Sequence, residues 1–129
     1  MAAVAVNRAS RAALAALLAL LAAGCVTQPP SRYAWGSYED LIYVTQAKPG
    51  VLPPEAQIEQ LEKDRLAARA TQQRLPPGWH AHLSYLYFQT GRADLAREEL
   101  LAEKTEFPES ATFVDRLLAN LAGGGAKSP

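Results

Sequence analysis

The residues of this chain whose types could carry out chemistry are few, and most are badly spaced for it. Cys25 is the single cysteine, so neither an internal disulfide nor a thiolate metal cluster can form within the chain. His80 and His82 stand two positions apart and on a helix would point to nearly opposite sides, so they cannot share one metal ion. His80 and Ser84 have the spacing of a base and a nucleophile on one helix face, but no orienting acid accompanies them. We therefore expect no bound metal.

The acidic residues between positions 92 and 104 are the other candidates for acid–base chemistry. Three glutamates alternate there with basic residues, as on a solvated helix face: Glu98, Glu99 and Glu103 with Arg92, Arg97 and Lys104. A hydrolase needs paired carboxylates or ligands that converge on one cleft, and neither pattern is visible. The sequence favours a non-catalytic protein with no small-molecule substrate and no bound cofactor. The alternative is a cell-wall-acting envelope enzyme or enzyme activator, with His80 and Glu99 as its best catalytic candidates.

The charge balance excludes nucleic acid as a partner. The chain has 13 Lys and Arg against 13 Asp and Glu. Without residues 1–24 it would lose Arg8 and Arg11, which leaves 11 basic against 13 acidic residues and a formal charge of −2. No basic field remains to hold a polyanion.

The beginning of the chain has the pattern of an export signal. Arg8 and Arg11 precede the apolar run 14–21, and small residues then lead to Cys25. The run is too short to cross a bilayer, which takes about 20 apolar residues. We expect the segment 1–24 to be a signal peptide that is removed.

The residues Leu21-Ala22-Ala23-Gly24-Cys25 resemble the lipobox of bacterial lipoproteins, with Ala22 where that motif usually has leucine. The resemblance implies that Cys25 receives a diacylglycerol and an acyl chain such as palmitate, and several acyl chains hold a protein stably on a membrane. In such lipoproteins an aspartate directly after the cysteine is typical of an inner-membrane retention signal. This chain has Val26 at that position, so the resemblance implies the periplasmic face of the outer membrane. The alternative is an ordinary secretory signal that is cleaved near Ala23 and leaves a free cysteine.

Prolines and glycines divide the remaining chain into helices. We predict a flexible tether over 25–32, a helical domain over 33–121 and a disordered tail over 122–129. Apolar residues recur in the domain at helical spacing among strong helix formers. The predicted helices are Trp35–Gln46, Glu55–Arg74, Trp79–Gln89, Ala93–Glu106 and Glu109–Leu121. On the second helix the predicted apolar stripe is Ile58, Leu61, Leu66 and Ala70. The sequence thus predicts an all-α fold of about five helices.

The third and fourth predicted helices carry the clearest pattern in the chain. It consists of Leu83, Ser84, Tyr87, Gly91, Ala96, Leu100 and Pro108. These types at these offsets resemble the tetratricopeptide repeat, which implies a short array of antiparallel helix pairs. Ser84 and Ala96 are small enough for two helices to approach closely, and Gly91 can adopt the backbone angles of a tight turn. His80 departs from the repeat, which often has Trp there, and Glu103 stands where a small residue is usual.

Seven side chains are candidates for contact with a partner: Trp35, Tyr38, Tyr43, Tyr85, Phe88, Asp115 and Arg116. Aromatic side chains offer a large contact area at modest entropy cost, and helical repeats commonly bind extended peptides. Core packing is the alternative for Trp35 and Tyr38. A structural role, such as capping a neighbouring helix, is the alternative for Asp115 and Arg116.

Four short motifs extend across the predicted domain: Trp35-Gly36-x-Tyr38-Glu39, Pro76-Pro77-Gly78 before the third helix, Phe107-Pro108-Glu109-Ser110, and Phe113-x-Asp115-Arg116-Leu117. They resemble a family of small bacterial lipoproteins known as domain of unknown function 4810. Genes of that family often lie beside a gene for a lipoprotein similar to the curli secretion pore, which implies a partner of that kind. The expected function is therefore that of a lipid-anchored outer-membrane adaptor, which uses a helical-repeat surface to bind another envelope protein.

Overall fold

A computed structural model describes residues 7–22 and 31–123 of the chain. The chain divides into two compact units after Pro30, and each is described by itself. In the first unit, Arg8–Ala22 forms helix α1, whose side chains from Arg8 to Leu17 are exposed. Cys25, most of the predicted tether and most of the predicted tail lie outside the described residues. Among the helices of the described ranges, none is both long and apolar enough to cross a membrane.

The second unit is entirely helical over residues 31–123, apart from one isolated bridge between Tyr33 and Arg74. Its helices are α2 (Tyr38–Ala47), α3 (Pro54–Ala70), α4 (Trp79–Gln89), α5 (Ala93–Glu106) and α6 (Ala111–Ala122), with a 3₁₀ turn at Pro108–Ser110 before α6. The predicted all-α class is confirmed, and α4 and α5 begin and end at the predicted residues.

Two helix boundaries differ from the prediction because long-range hydrogen bonds decide them. Helix α2 begins at Tyr38 and not at Trp35, because Asp64 of α3 holds Ser37 outside the helix. The Asp64 Oδ2 accepts hydrogen bonds from the Ser37 amide at 2.8 Å and from the Ser37 hydroxyl at 2.5 Å. Helix α3 ends at Ala70 and not at Arg74. Gln72 takes a φ of 54° there, and the Arg74 carbonyl accepts a hydrogen bond from the Ala34 amide at 2.8 Å.

The start of α6 is also later than predicted. Pro108, Glu109 and Ser110 form the 3₁₀ turn, and the α-helix begins at Ala111. The Ser110 hydroxyl donates to the Phe107 carbonyl at 2.7 Å, which satisfies an acceptor at the end of the preceding helix.

The core of this unit is centred on α4. Trp79, Leu83 and Leu86 of α4 are fully buried, and Leu61 of α3 and Ala96 of α5 pack into the same cluster. All members of the cluster belong to residues 31–123, so this unit has its own core.

The predicted apolar stripe of α3 is wrong at two positions. Leu66 is 65% exposed and Ala70 is exposed, while Gln57 and Ala68 are buried. Gln57 tolerates burial because both ends of its amide are bonded: its Oε1 accepts from the Thr45 hydroxyl at 2.8 Å, and its Nε2 donates to the Leu52 carbonyl at 2.9 Å.

Helices α4 and α5 approach closely at two small residues. The Ser84 hydroxyl donates to the Ala96 carbonyl at 2.7 Å, and both residues are buried. Gly91 makes the turn between these helices with a φ of 75°, a conformation that costs glycine little. The packing roles predicted for these three residues are confirmed.

Candidate functional site

A buried ionic cluster joins α3, α4 and α5. Its centre is Glu99, whose two oxygens contact His80 Nδ1 at 2.6 Å and an Arg65 guanidinium nitrogen at 2.5 Å. Burial acts to raise the pKa of Glu99, but the hydrogen bonds from His80 and Arg65 and the charge of Arg65 outweigh it and hold that pKa below its usual value. Glu99 is therefore a charged anchor inside the domain.

Glu103 is buried as well, one turn further along α5. Its Oε1 accepts a hydrogen bond from the Gly78 amide at 2.7 Å, at the N-terminus of α4. A carboxylate is favourable there because the first amides of a helix lack intrahelical partners and carry partial positive charge. The prediction that Glu98, Glu99 and Glu103 share a solvated face is therefore wrong for Glu99 and Glu103.

The ionic cluster does not assemble a nucleophile beside its histidine. The hydroxyl of Ser84 donates to the backbone of α5, as described above, and His80 is paired with Glu99. His82 faces a different surrounding, between the rings of Tyr38 and Tyr85 at centroid distances of 6.1 and 6.4 Å. Burial lowers the pKa of His82 to about 4, which keeps this imidazole neutral near pH 7. Within the described residues, no group of three His, Cys, Asp or Glu side chains is arranged to hold a metal ion.

An apolar groove runs between α4 and α6. It has a volume of about 460 Å³, and we call it the α4–α6 groove. The residues that line it are Ala81, Ser84, Tyr85, Phe88, Leu100, Phe113, Leu117, Asn120 and Leu121. Three aromatic side chains there are about half exposed, namely Tyr85 at 47%, Phe88 at 48% and Phe113 at 55%. The groove thus offers apolar and aromatic surface to solvent.

Of the seven predicted partner-binding residues, the α4–α6 groove contains Tyr85 and Phe88. Trp35 and Tyr38 lie elsewhere and stack on each other with ring centroids 6.4 Å apart. Tyr38 is half-buried and packs against the core, while Trp35 is 38% exposed. Tyr38 thus takes part in core packing, which was the alternative to contact with a partner.

The other three predicted residues are spread over the surface. Tyr43 is 59% exposed, with the Lys48 ammonium 5.8 Å from its ring centroid. Asp115 pairs with Lys104 at 2.6 Å, and Arg116 is exposed. The structure therefore does not bring the seven residues into one site.

Sequence reasoning missed the α6 side of the groove. Phe113, Leu117 and Leu121 are spaced four apart and form one wall. The spacing was visible as an apolar stripe, but a stripe alone does not reveal whether a helix presents it to the core or leaves it open. Here Val114, one position from Phe113, is the residue of α6 that is fully buried.

These features define an all-α domain with a complete core, an internal ionic cluster and one open apolar groove. The chain belongs to the family described as Domain of unknown function (DUF4810), whose model matches residues 32–117. Neither a curated protein nor a solved structure matches the chain.

Proposed function

We propose that this protein is a lipid-anchored adaptor of the bacterial envelope and that the α4–α6 groove binds an apolar segment of another envelope protein. The observation that carries the proposal is the half-exposed aromatic set Tyr85, Phe88 and Phe113 around one groove. Aromatic side chains combine a large apolar contact area with few rotatable bonds, so a groove lined by three of them is suited to bind an apolar segment.

The shape of the groove suits a peptide segment. Phe113, Leu117 and Leu121 form one wall at steps of four residues, and Ala81, Tyr85 and Phe88 form the other at steps of four and three. Two such ridges leave a channel in which a helix or an extended peptide can place successive apolar side chains. Its volume of about 460 Å³ accommodates a few large side chains rather than a whole domain.

We further propose that the helices form a minimal tetratricopeptide-like array. In this arrangement α4 and α5 are the complete repeat, α2 and α3 are a degenerate one, and α6 is the terminal helix. The close approach of Ser84 to Ala96 and the turn at Gly91 support the pairing of α4 with α5. Helical repeats commonly use a groove between successive helices to hold peptides.

The proposed setting is the periplasmic face of the outer membrane, with diacylglycerol and an acyl chain on Cys25. Its support is the signal-like segment before Cys25 and the lipobox resemblance. The proposed partner is a lipoprotein similar to the curli secretion pore, which the family resemblance implies. Mass spectrometry of the protein from its host tests the anchor, and an unmodified Cys25 thiol would refute it.

The hydrogen-bonded pair His80 and Glu99 is the feature that favours the alternative of a cell-wall enzyme. Only 7% of the His80 side chain and 10% of the Glu99 side chain are exposed, so a polymeric substrate could not reach the pair without rearrangement of the domain. The adaptor function is the better supported of the two.

Site-specific photo-crosslinking in the native envelope tests the groove. A photoreactive residue at Phe113 should form an adduct that contains the pore-like lipoprotein. The same residue at Leu66 is the matched control, because Leu66 is also a large exposed apolar side chain but lies on α3, outside the groove. An adduct of equal yield from both positions, or from neither, would contradict the proposed surface.

A further inference from the structure

The α4–α6 groove offers few hydrogen-bond partners to the molecule that it binds. Its lining residues belong to α4, α5 and α6, and most lie inside these helices, where backbone amides and carbonyls bond to each other. The Ser84 hydroxyl already donates to the Ala96 carbonyl at 2.7 Å. The Tyr85 hydroxyl already accepts from Gln89 Nε2 at 2.8 Å. Among the polar side chains of the lining, only Asn120 has no hydrogen bond in the described part of the chain.

This shortage of partners favours a helix over an extended peptide in the groove. An extended peptide carries a free amide and a free carbonyl on almost every residue, and burial of these groups without partners is unfavourable. An α-helix bonds the same groups to each other and presents only side chains. The α6 wall extends from Phe113 to Leu121, a rise of about 12 Å along the helix axis. A helix of about two to three turns therefore covers the groove.

The rim of the groove on α6 carries an arginine. Arg116 is exposed and stands three residues after Phe113 and four before Asn120, both of which line the groove. Residues at these spacings lie on one side of a helix, so Arg116 borders the groove. It forms no ion pair within the described ranges, whereas Asp115 beside it is bonded to Lys104 of α5. A carboxylate on the occupant would pair with Arg116 and could accept a hydrogen bond from the Asn120 amide.

From these observations we infer that the segment bound in the α4–α6 groove is an amphipathic α-helix of the partner, with a carboxylate next to its apolar stripe. Its apolar side chains, three and four residues apart, pack between Tyr85 and Phe113, and its carboxylate pairs with Arg116. The inference rests on the proposed function of the groove and narrows the class of segment that the groove accepts.

Two panels of synthetic peptides test the inference. The protein is the chain from residue 25 onward with Cys25→Ser, since the core is complete within residues 31–123. The helical panel consists of capped, alanine-rich peptides of about 15 residues. Each has leucine, isoleucine, methionine or phenylalanine at steps of three and four and one glutamate beside this stripe. The extended panel has the same apolar residues and glutamate in alternation with polar residues, and its prolines prevent a helix. The ¹⁵N chemical shift of the Asn120 side-chain amide reports binding in the groove.

The helical panel should contain the tighter ligands. Its best member should bind at least about tenfold more tightly than the best extended peptide, because the extended backbone loses hydrogen bonds to water on burial. Replacement of its glutamate by lysine should weaken binding about two- to fivefold, as expected for one exposed ion pair.

Three variants assign the contacts. Arg116→Glu should reverse the charge preference, so that the lysine peptide binds better than the glutamate peptide. Phe113→Ala should weaken both peptides, since it removes part of the α6 wall. Leu66→Ala is the matched control, because Leu66 is a large exposed apolar side chain outside the groove, and should leave binding unchanged. Thermal unfolding followed by circular dichroism verifies that each variant is folded.

Several outcomes would overturn the inference. Tighter binding of the extended panel, equal binding of the glutamate and lysine peptides, or an Asn120 amide that neither panel shifts would each do so. A dimer in analytical ultracentrifugation that Phe113→Ala dissociates would identify a second copy of this chain as the occupant instead. The photo-crosslinking experiment is independent of these results. An adduct from Phe113 together with a preference for extended peptides would refute only the helix, and helix binding without an adduct would refute only the proposed partner.

Discussion

Two regions around α4 differ in how their side chains are satisfied. One is the buried ionic cluster, in which Glu99 is bonded to both His80 and Arg65. The other is the open α4–α6 groove, in which Tyr85 and Phe88 are half exposed. In the first region the charges have partners within the domain. In the second, the apolar surface has no cover in the described chain. The comparison indicates that the first region stabilises the fold and that the second is available to another molecule, and each of the following predictions tests that division.

The largest expected effect is on the ionic cluster. Glu99→Ala leaves Arg65 and His80 buried without their shared carboxylate, and breaking a buried pair in this way costs about 3–5 kcal/mol of unfolding free energy. Glu98→Ala is the matched control, because the Glu98 side chain is next to Glu99 in the sequence but is exposed. This substitution should change the unfolding free energy by less than about 0.5 kcal/mol. Urea unfolding followed by circular dichroism measures both. Equal changes in unfolding free energy for the two variants would show that the ionic cluster does not stabilise the fold.

The next effect concerns the α4 N-terminus, where Glu103 binds the Gly78 amide. Gly78→Ala places a Cβ 2.7 Å from the Tyr38 hydroxyl oxygen at a φ of 85°. Gly50 has a similar φ of 84° with nothing within 4 Å of its Cβ position. Gly50→Ala should therefore cost only the backbone strain, about 1 kcal/mol, and Gly78→Ala should cost clearly more. If the two variants have the same unfolding midpoint, the close contact with Tyr38 is unimportant.

Acid should destabilise the domain in two steps. His82 has its usual pKa of 6.5 in the unfolded chain and a pKa of about 4 in the folded chain. Because the unfolded chain therefore binds the proton first, the unfolding free energy falls as the pH drops from about 6.5 to about 4. The lowered pKa of Glu99 adds a further loss at pH values below about 4.5, its usual pKa. His82→Phe should retain the aromatic packing and remove the first step. Stability curves at several pH values check this, and an unchanged slope between pH 6.5 and 4 in the variant would exclude His82 as its cause.

The groove should be nearly neutral for folding. Phe113 is 55% exposed, so Phe113→Ala should change the unfolding free energy by less than about 1 kcal/mol while it abolishes capture of the partner. Loss of the partner together with a large loss of stability would show that Phe113 supports the fold instead.

The smallest effect is expected at the surface pair of Lys104 and Asp115. Both side chains are substantially exposed, at 40% and 56%, and exposed ion pairs are worth about 0–1 kcal/mol. Asp115→Asn should therefore leave the unfolding midpoint almost unchanged. If this substitution reduces partner capture, the binding surface extends beyond the groove along α6.

The elements that were predicted well are those with local signals at both ends. Helix α4 lies between Pro-Pro-Gly and Thr-Gly, and α5 follows that turn and ends before Phe107-Pro108, so their bounds could be read from the chain. The end of α3 carries no glycine or proline. It is fixed by the pairing of Arg74 with Tyr33 and Ala34, residues far away in the sequence. Local propensity could not reveal that contact.

The candidate sites divide in the same way. Tyr85 and Phe88 could be named from the sequence because two aromatic residues on one side of a helix need either a neighbour or a ligand. Glu99 was misjudged because a glutamate among arginines and lysines reads as a surface residue. Its burial follows from Arg65, which stands 34 positions earlier on another helix.

The sequence by itself determined the helical class, the small residues at the α4–α5 contact and the turn at Gly91, because these depend on the period of apolar residues, on side-chain size and on backbone freedom. The tertiary structure alone decided which charged groups are buried and which apolar stripe stays open. Those outcomes depend on how helices distant in the chain meet, since a charge can be buried only where a partner from another element satisfies it.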